Sequence, residues 1–241
     1  LFPNPKFKEV IMSISKKEGL KHQETLKILQ KDVLSEDDIF FVIDHFHEGA
    51  TNINKIHGAH FTPWDLAIDL ALEIHGDYVL DLCAGIGTLS LAYKVHCQRD
   101  ITKPRFVCVE LNPEYVKIGK KLLPEAEWIC GSIFDPKVQE LLKNRGFTDT
   151  ISNPPFGKTG MKKNLAPRYK GREFQYALID VASQYSDHGA FIIPQASTPF
   201  IQSGASGLFD ARNNYSQDHP DYLYYKNKLE FNMKKYTPFH K

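Results

Sequence analysis

Tyr78-Val79-Leu80-Asp81-Leu82-Cys83-Ala84-Gly85-Ile86-Gly87-Thr88 is the stretch from which the rest of the chain can be placed. Tyr78 to Leu82 is a short apolar run of strand length. Two glycines follow within five residues, where the backbone must turn tightly and leave room for something beside it. Leu89 to His96 then carries a helical pattern. Strand, glycine turn and helix in that order form the opening unit of a parallel α/β sheet.

The alternation continues downstream. Arg105 to Leu111 reads as a second strand and Glu114 to Leu123 as a helix. Ala126 to Cys130 reads as a third strand and Val138 to Asn144 as a short helix. Phe147 to Ser152 reads as a fourth strand, Phe174 to Tyr185 as a helix and Ala190 to Pro194 as a fifth strand. Such alternation predicts an α/β fold with a Rossmann-like, mostly parallel, doubly wound sheet. After residue 195 the chain is rich in Gly, Ser, Asn, Asp and Tyr and reads as loop.

Upstream, Thr62 suits an N-cap and Pro63 the first helical position, which predicts a helix to about His75. Residues 1–57 show only helical spacing, with Phe7, Val10, Ile11 and Ile14, then Leu26, Leu29 and Val33. Ser35-Glu36-Asp37-Asp38 resembles a capping box before the apolar run Ile39 to Phe46. The expected organisation is a small N-terminal helical appendage, 1–57, and a main domain, 58–241.

The 241 residues carry a net charge of +1, which excludes a histone-like arm and a strongly acidic protein but leaves room for a local basic stripe. No run approaches the roughly eighteen apolar residues of a membrane span. Leu1 to Val10 lacks a secretory apolar core. Cys83, Cys97, Cys108 and Cys130 show no paired spacing and read as reduced thiols of a cytoplasmic protein.

The glycine turn alone does not name a ligand. Its partner is Glu110, an acid at the end of the second strand, which can accept both ribose hydroxyls of an adenosine. A dinucleotide site would place a third glycine where Ser90 stands. Asp81 in the same loop suits a cation better than a pyrophosphate. S-adenosylmethionine carries an ammonium and a sulfonium and no phosphate, so it is the expected cofactor. Asp135 either accepts from the adenine amine of that cofactor or caps the next helix.

Asn153-Pro154-Pro155-Phe156 follows the fourth strand. Two prolines stiffen three successive residues at the carboxyl edge of the sheet. The Asn153 side-chain oxygen and the Pro154 carbonyl can accept both hydrogens of a planar amine and favour a more pyramidal nitrogen. Phe156 offers a face for stacking. These features point to in-line methyl transfer, which demands donor and acceptor held about 3 Å apart.

Over about residues 58 to 195 the chain resembles the class I, Rossmann-like methyltransferases that methylate amino groups and carry an (N/D/S)PP(Y/F/W) motif. Within them it resembles the N6-adenine DNA methyltransferases, with Phe61-Thr62-Pro63 as the FTP-type segment. The resemblance implies that Phe61 and Thr62 line the methionine end of the cofactor. It implies that Asp81, Gly85 and Gly87, with Cys83 and Ala84, cradle the cofactor. Glu110 would hold the ribose and Asp135 the adenine, and Leu111, Ser132 and Ile133 complete the expected contacts. Asn153, Pro154, Pro155 and Phe156 form the expected catalytic corner, with Asn153 touching cofactor as well as target.

A basic segment follows the corner: Lys158, Lys162, Lys163, Arg168, Lys170 and Arg172, with Tyr169 among them. Cations there can contact phosphates beside an extruded base, and Tyr169 can stack or wedge. Lys226, Lys228, Lys234 and Lys235 form a second, weaker patch. DNA is favoured over RNA as partner. The chain after the fifth strand leaves little for a target-recognition domain, so recognition is expected to be loose, or supplied by the N-terminal helices, a partner subunit or residues outside this chain. His45, His47, His57 and His60 lack the ligand spacing of a metal site, and none is expected. The competing readings are an RNA methyltransferase acting on adenine N6 or guanine N2, a protein-glutamine N5 methyltransferase and a non-enzymatic binding subunit.

Overall fold

A computed structural model of the chain describes residues 16–47, 61–96, 104–157, 166–169 and 171–194. The expectations for Phe7 to Ile14, His57, His60, Cys97, Lys158, Lys162, Lys163, Lys170 and the C-terminal lysines lie outside the described residues. The elements run α1 (Lys16–Ile28), α2 (Glu36–His45), α3 (Trp64–Ala71), β1 (Tyr78–Leu82), α4 (Thr88–His96), β2 (Arg105–Glu110), α5 (Pro113–Leu122), β3 (Glu127–Cys130), α6 (Pro136–Leu142), β4 (Asp149–Ser152), α7 (Phe174–Ala182) and β5 (His188–Phe191).

The five strands form one parallel sheet in the order β3-β2-β1-β4-β5. Asp81 pairs with Cys108 on one side and Ile151 on the other. The order reverses between β1 and β4, which makes the carboxyl ends of those two strands the switch point where open α/β sheets bind ligands.

Side chains alternate between the two faces, as strand geometry requires. Val79, Phe106, Cys108 and Ile151 join α3, α4 and α5 in one apolar cluster. Leu80, Leu82, Val107 and Val109 join α6 and α7 in the other. Helices cover both faces, so the fold is the doubly wound, Rossmann-like α/β sheet that the sequence predicts.

The N-terminal helices pack on the first of these faces. The capping box forms as expected, with the Ser35 hydroxyl accepting from the Asp38 amide and the Asp38 carboxylate from the Ser35 amide. It orients α2 so that Val42, Ile43 and Phe46 are buried with Tyr115 and Val116 of α5. Lys121 of α5 donates to the carbonyls of Leu29, at 2.9 Å, and Lys31, at 2.7 Å, and so satisfies chain just after α1.

Several boundaries differ from expectation. Helix α3 begins at Trp64 with Pro63 as its cap residue and no side-chain cap, so Thr62 is not the N-cap. Strand β5 starts two residues early, because His188 and Gly189 pair with Asp149 and Thr150 without supplying an apolar signal. The helix expected to reach Tyr185 stops at Ala182.

Candidate active site

β1 and β4 deliver two loops to the switch point. After β1 the chain takes a left-handed conformation at Cys83 (φ 57°), Gly85 (φ 59°) and Gly87 (φ 93°). Cys83 bears a Cβ and holds this conformation at a cost, so the loop is over-determined by its surroundings. The Ala84 amide donates to Val109 and the Gly87 amide to Ala84. A Cβ at Gly85 would stand 3.3 Å from the Phe61 ring, so a side chain there would fill the space beside the loop.

After β4 the chain enters Asn153-Pro154-Pro155-Phe156. The hydroxyl of Ser152 donates to the Leu82 carbonyl, which ties the start of this loop to the end of β1. At its far end the Gly157 amide donates to the buried Gln175 side chain at 2.9 Å, and the Phe174 amide donates to the Gly157 carbonyl. The proline pair is therefore clamped between a strand and α7. Pro154 is buried, Pro155 half-buried and Phe156 40 % exposed.

The two loops meet at an open cleft lined by Phe61, Thr62, Cys83, Ala84, Gly85, Thr88, Leu89 and Asn153. Six of these are residues to which the sequence assigns site roles. Thr88 and Leu89 carry no such assignment, although they follow Gly87 directly and open α4. The amide nitrogen of Asn153 donates to the Thr62 hydroxyl at 3.0 Å, across 91 positions of sequence.

Two acids stand behind the glycine loop. Glu110 accepts from the Gly85 amide at 2.9 Å and the Asn112 amide at 2.7 Å. Burial nonetheless raises its carboxyl above the usual range. A carboxylate has about four acceptor positions, so these backbone amides do not exhaust its capacity. Asp81 is fully buried, with one oxygen accepting from the Ser90 hydroxyl at 2.7 Å and Oδ1 without a hydrogen-bond partner. Burial pushes its carboxyl up to about 7. Burial and the neighbouring carboxylates of Glu110 and Asp81 push the Cys83 thiol well above its ordinary value, so it is no thiolate nucleophile.

Leu111, Ser132, Ile133 and Asp135 are not among the residues that line the cleft. Leu111 is 53 % exposed beside Glu110, and the Gly131 amide of the next loop donates to the Glu110 carbonyl. The Ser132 hydroxyl accepts from the Phe134 amide. Ile133 is 3 % exposed within the α6–α7 cluster, so its side chain belongs to the core. Asp135 caps α6, accepting from the Lys137 amide at 2.9 Å.

Arg168 and Tyr169 require a correction. Asp180, fully buried in α7, accepts from both their amides and from the Arg168 guanidinium at 2.9 Å. Tyr169 is 4 % exposed and packs on Tyr176, with ring centres 5.7 Å apart. These contacts fasten residues 166–169 to α7; the Tyr169 ring is buried and not presented for stacking, while the Arg168 side chain stays 31 % exposed. Arg172 is exposed. The signal was Asp180 itself, an isolated acid inside an apolar helix. Among the described residues no group of three His, Cys, Asp or Glu could hold a metal, and no helix is long and apolar enough to cross a membrane.

No family model matches the chain, and no curated protein matches it. Solved structures do. A proposed RNA methyltransferase from Pyrococcus horikoshii is 20% identical, with 67% of this chain and 76% of that one covered and a TM-score of 0.45. A proposed class I S-adenosylmethionine-dependent methyltransferase from Listeria monocytogenes is 16% identical, with 77% and 68% covered and a TM-score of 0.44. The methyltransferase subunit of a type I restriction-modification system from Streptococcus thermophilus is 15% identical, with 70% and 42% covered and a TM-score of 0.43.

Proposed function

We propose that this chain is an S-adenosylmethionine-dependent methyltransferase acting on the exocyclic amine of a nucleobase, with N6 of adenine in DNA as the target. The observation that carries the reading is that Asn153 and Gly85 line one cleft, at the point where the strand order reverses. A glycine loop that makes room for a ligand and a stiff loop that offers amide acceptors thus face each other.

The residues present fit the cofactor. The turn is open at Gly85, where a Cβ would crowd Phe61. Glu110 retains acceptor positions for the ribose hydroxyls. The buried, unpartnered Oδ1 of Asp81 favours a nearby cation. Thr88 and Leu89 bring the N-terminal end of α4 to the cleft, an environment suited to a carboxylate. When bound, the cofactor supplies an electrophilic methyl on a sulfonium.

Asn153 Oδ1 and the Pro154 carbonyl accept the two hydrogens of the amine and turn its lone pair toward the methyl. Held this way, the amine nitrogen would lie in line with the methyl that the bound cofactor would supply. The surplus proton leaves for water after the transfer, so no strong base is required. Phe156, exposed at the loop tip, stacks on the base. Lys158, Lys162, Lys163, Lys170 and Arg172 contact phosphates around it. Residues 58–241 act as the catalytic unit in this reading, with 1–57 supporting it.

Tritiated S-adenosylmethionine offered separately to DNA, RNA and protein pools tests the reading, with nucleoside analysis of the labelled product. Label in N6-methyladenine from DNA is expected. Label in RNA would move the same chemistry to that polymer. Label in protein glutamine, or in none of the pools, would overturn the nucleobase reading.

A further inference from the structure

We propose that Thr62 is a positioning residue that sets which end of the Asn153 amide faces the target amine. This inference rests on the methyltransferase reading above. An asparagine amide presents an acceptor at one end and two donors at the other, and the two ends are nearly the same size. Rotated by half a turn, Asn153 would aim N–H groups at an NH2 target, donor against donor. The rotation is cheap unless a neighbour distinguishes the ends.

Thr62 distinguishes them. Its Oγ1 accepts from Asn153 Nδ2 at 3.0 Å, and it is only 8 % exposed, so water competes weakly for the contact. The hydroxyl is free for this role because α3 is capped without it. Pro63 is the cap residue and no side-chain cap bond forms. A local rule would have placed this hydroxyl on the helix, and the structure places it on Asn153 instead.

A hydroxyl can also donate. Both residues line the cleft, so a carboxylate held there would accept a hydrogen bond from the Thr62 hydroxyl and leave Oγ1 only its lone pairs toward Asn153. Cofactor binding would then lock the amide with its nitrogen on Thr62 and its oxygen toward the target.

The test compares Thr62→Val, Thr62→Ser and Asn153→Ala in the full chain. Turnover of tritiated S-adenosylmethionine on the pool that the parent labels is measured beside S-adenosylhomocysteine affinity by calorimetry. Thr62→Val keeps the shape and removes the acceptor, so kcat is expected to fall about tenfold or more. S-adenosylhomocysteine affinity is expected to fall as well, by about tenfold, because the hydroxyl's bond to the carboxylate is lost, so the fall in kcat at saturating cofactor is the readout of positioning. Thr62→Ser restores the hydroxyl and is expected to recover most of kcat. Heteronuclear NMR of the Asn153 side-chain NH2, identified by its absence in Asn153→Ala, gives a readout independent of turnover. Its hydrogen exchange is expected to be slow in the parent and in Thr62→Ser, slower still with S-adenosylhomocysteine, and fast in Thr62→Val.

Full kcat in Thr62→Val would overturn the inference, as would a Thr62→Ser variant no better than Thr62→Val. A loss confined to cofactor affinity would make Thr62 a cofactor contact instead. If Thr62→Val fails to fold, Thr62→Ala and the NMR exchange in the parent decide the matter. An active Asn153→Ala would sink the catalytic reading itself, an outcome separate from a silent Thr62.

Discussion

Asp81 is the carboxyl behind the glycine loop whose ionisation burial opposes most directly. It is fully buried, one oxygen has no partner, and its carboxyl is pushed up from 3.8 to about 7. The folded chain keeps a proton that the unfolded chain loses as pH passes 3.8. This group's contribution to stability therefore falls from pH 3.8 to about 7 and is level above that. Asp81→Asn cannot ionise and should lose that slope. Melting at about pH 4.5 and about pH 7.5 should show the variant gaining on the parent at the higher pH, and an equal difference at both would refute the buried carboxyl. A cation held nearby would reverse the cost, so S-adenosylmethionine should bind more tightly as pH rises through about 7. S-adenosylhomocysteine, without the sulfonium charge, should respond less. Glu110 plays a different part, since backbone amides of Gly85 and Asn112 already aim it at the loop. Glu110→Ala is expected to weaken cofactor binding by about 1–3 kcal/mol in calorimetry, because charge-assisted hydrogen bonds disappear. Unchanged affinity would remove Glu110 from the site.

At the scale of elements, the site depends on how its loops are braced. Phe46, at the end of α2, packs on Phe61 with ring centres 5.7 Å apart and on Tyr115 at 6.3 Å. Phe61 in turn lines the cleft. The N-terminal helices thus support one wall of the cleft through the aromatic cluster of Phe46, Phe61 and Tyr115. Phe46→Ala should cost about 3–5 kcal/mol of stability in denaturant unfolding and should also weaken S-adenosylhomocysteine binding. Reduced stability with undiminished affinity would show that the cluster does not reach the site. Much of this framework is legible in the sequence, because β1, β2 and the two βα loops obey local rules of apolar run, glycine and proline. The bounds of β1 agree to the residue, and the cleft gathers Phe61, Thr62, Cys83, Ala84, Gly85 and Asn153. What local rules miss is decided by partners distant in sequence. Thr62 bonds Asn153 rather than α3, and Asp180 of α7 draws in Arg168 and Tyr169, which a count of cations assigns to the substrate. The start of β5 is displaced because His188 is fixed by Asp149 at 2.6 Å and not by an apolar pattern.

The whole molecule carries a net charge of only +1, so the nucleic-acid affinity that the proposed function requires would come from a local arrangement of cations. Arg168 is paired with Asp180 and partly exposed, and Arg172 is the exposed cation among the described residues of the basic segment. Binding of duplex DNA should weaken steeply with salt. Replacing Lys162 and Lys163 by Gln should lower the slope of log K against log salt by about one for each phosphate no longer neutralised. A salt-independent affinity would favour a protein substrate. The central claim is that a proline-braced amide corner and a glycine turn form one reaction site. It is tested most directly by measuring methyl transfer and S-adenosylhomocysteine binding on the same preparations of the parent and of Asn153→Ala. The account predicts that transfer to nucleic acid disappears while binding stays within about threefold. Transfer that survives the substitution, or binding that vanishes with it, would contradict the account.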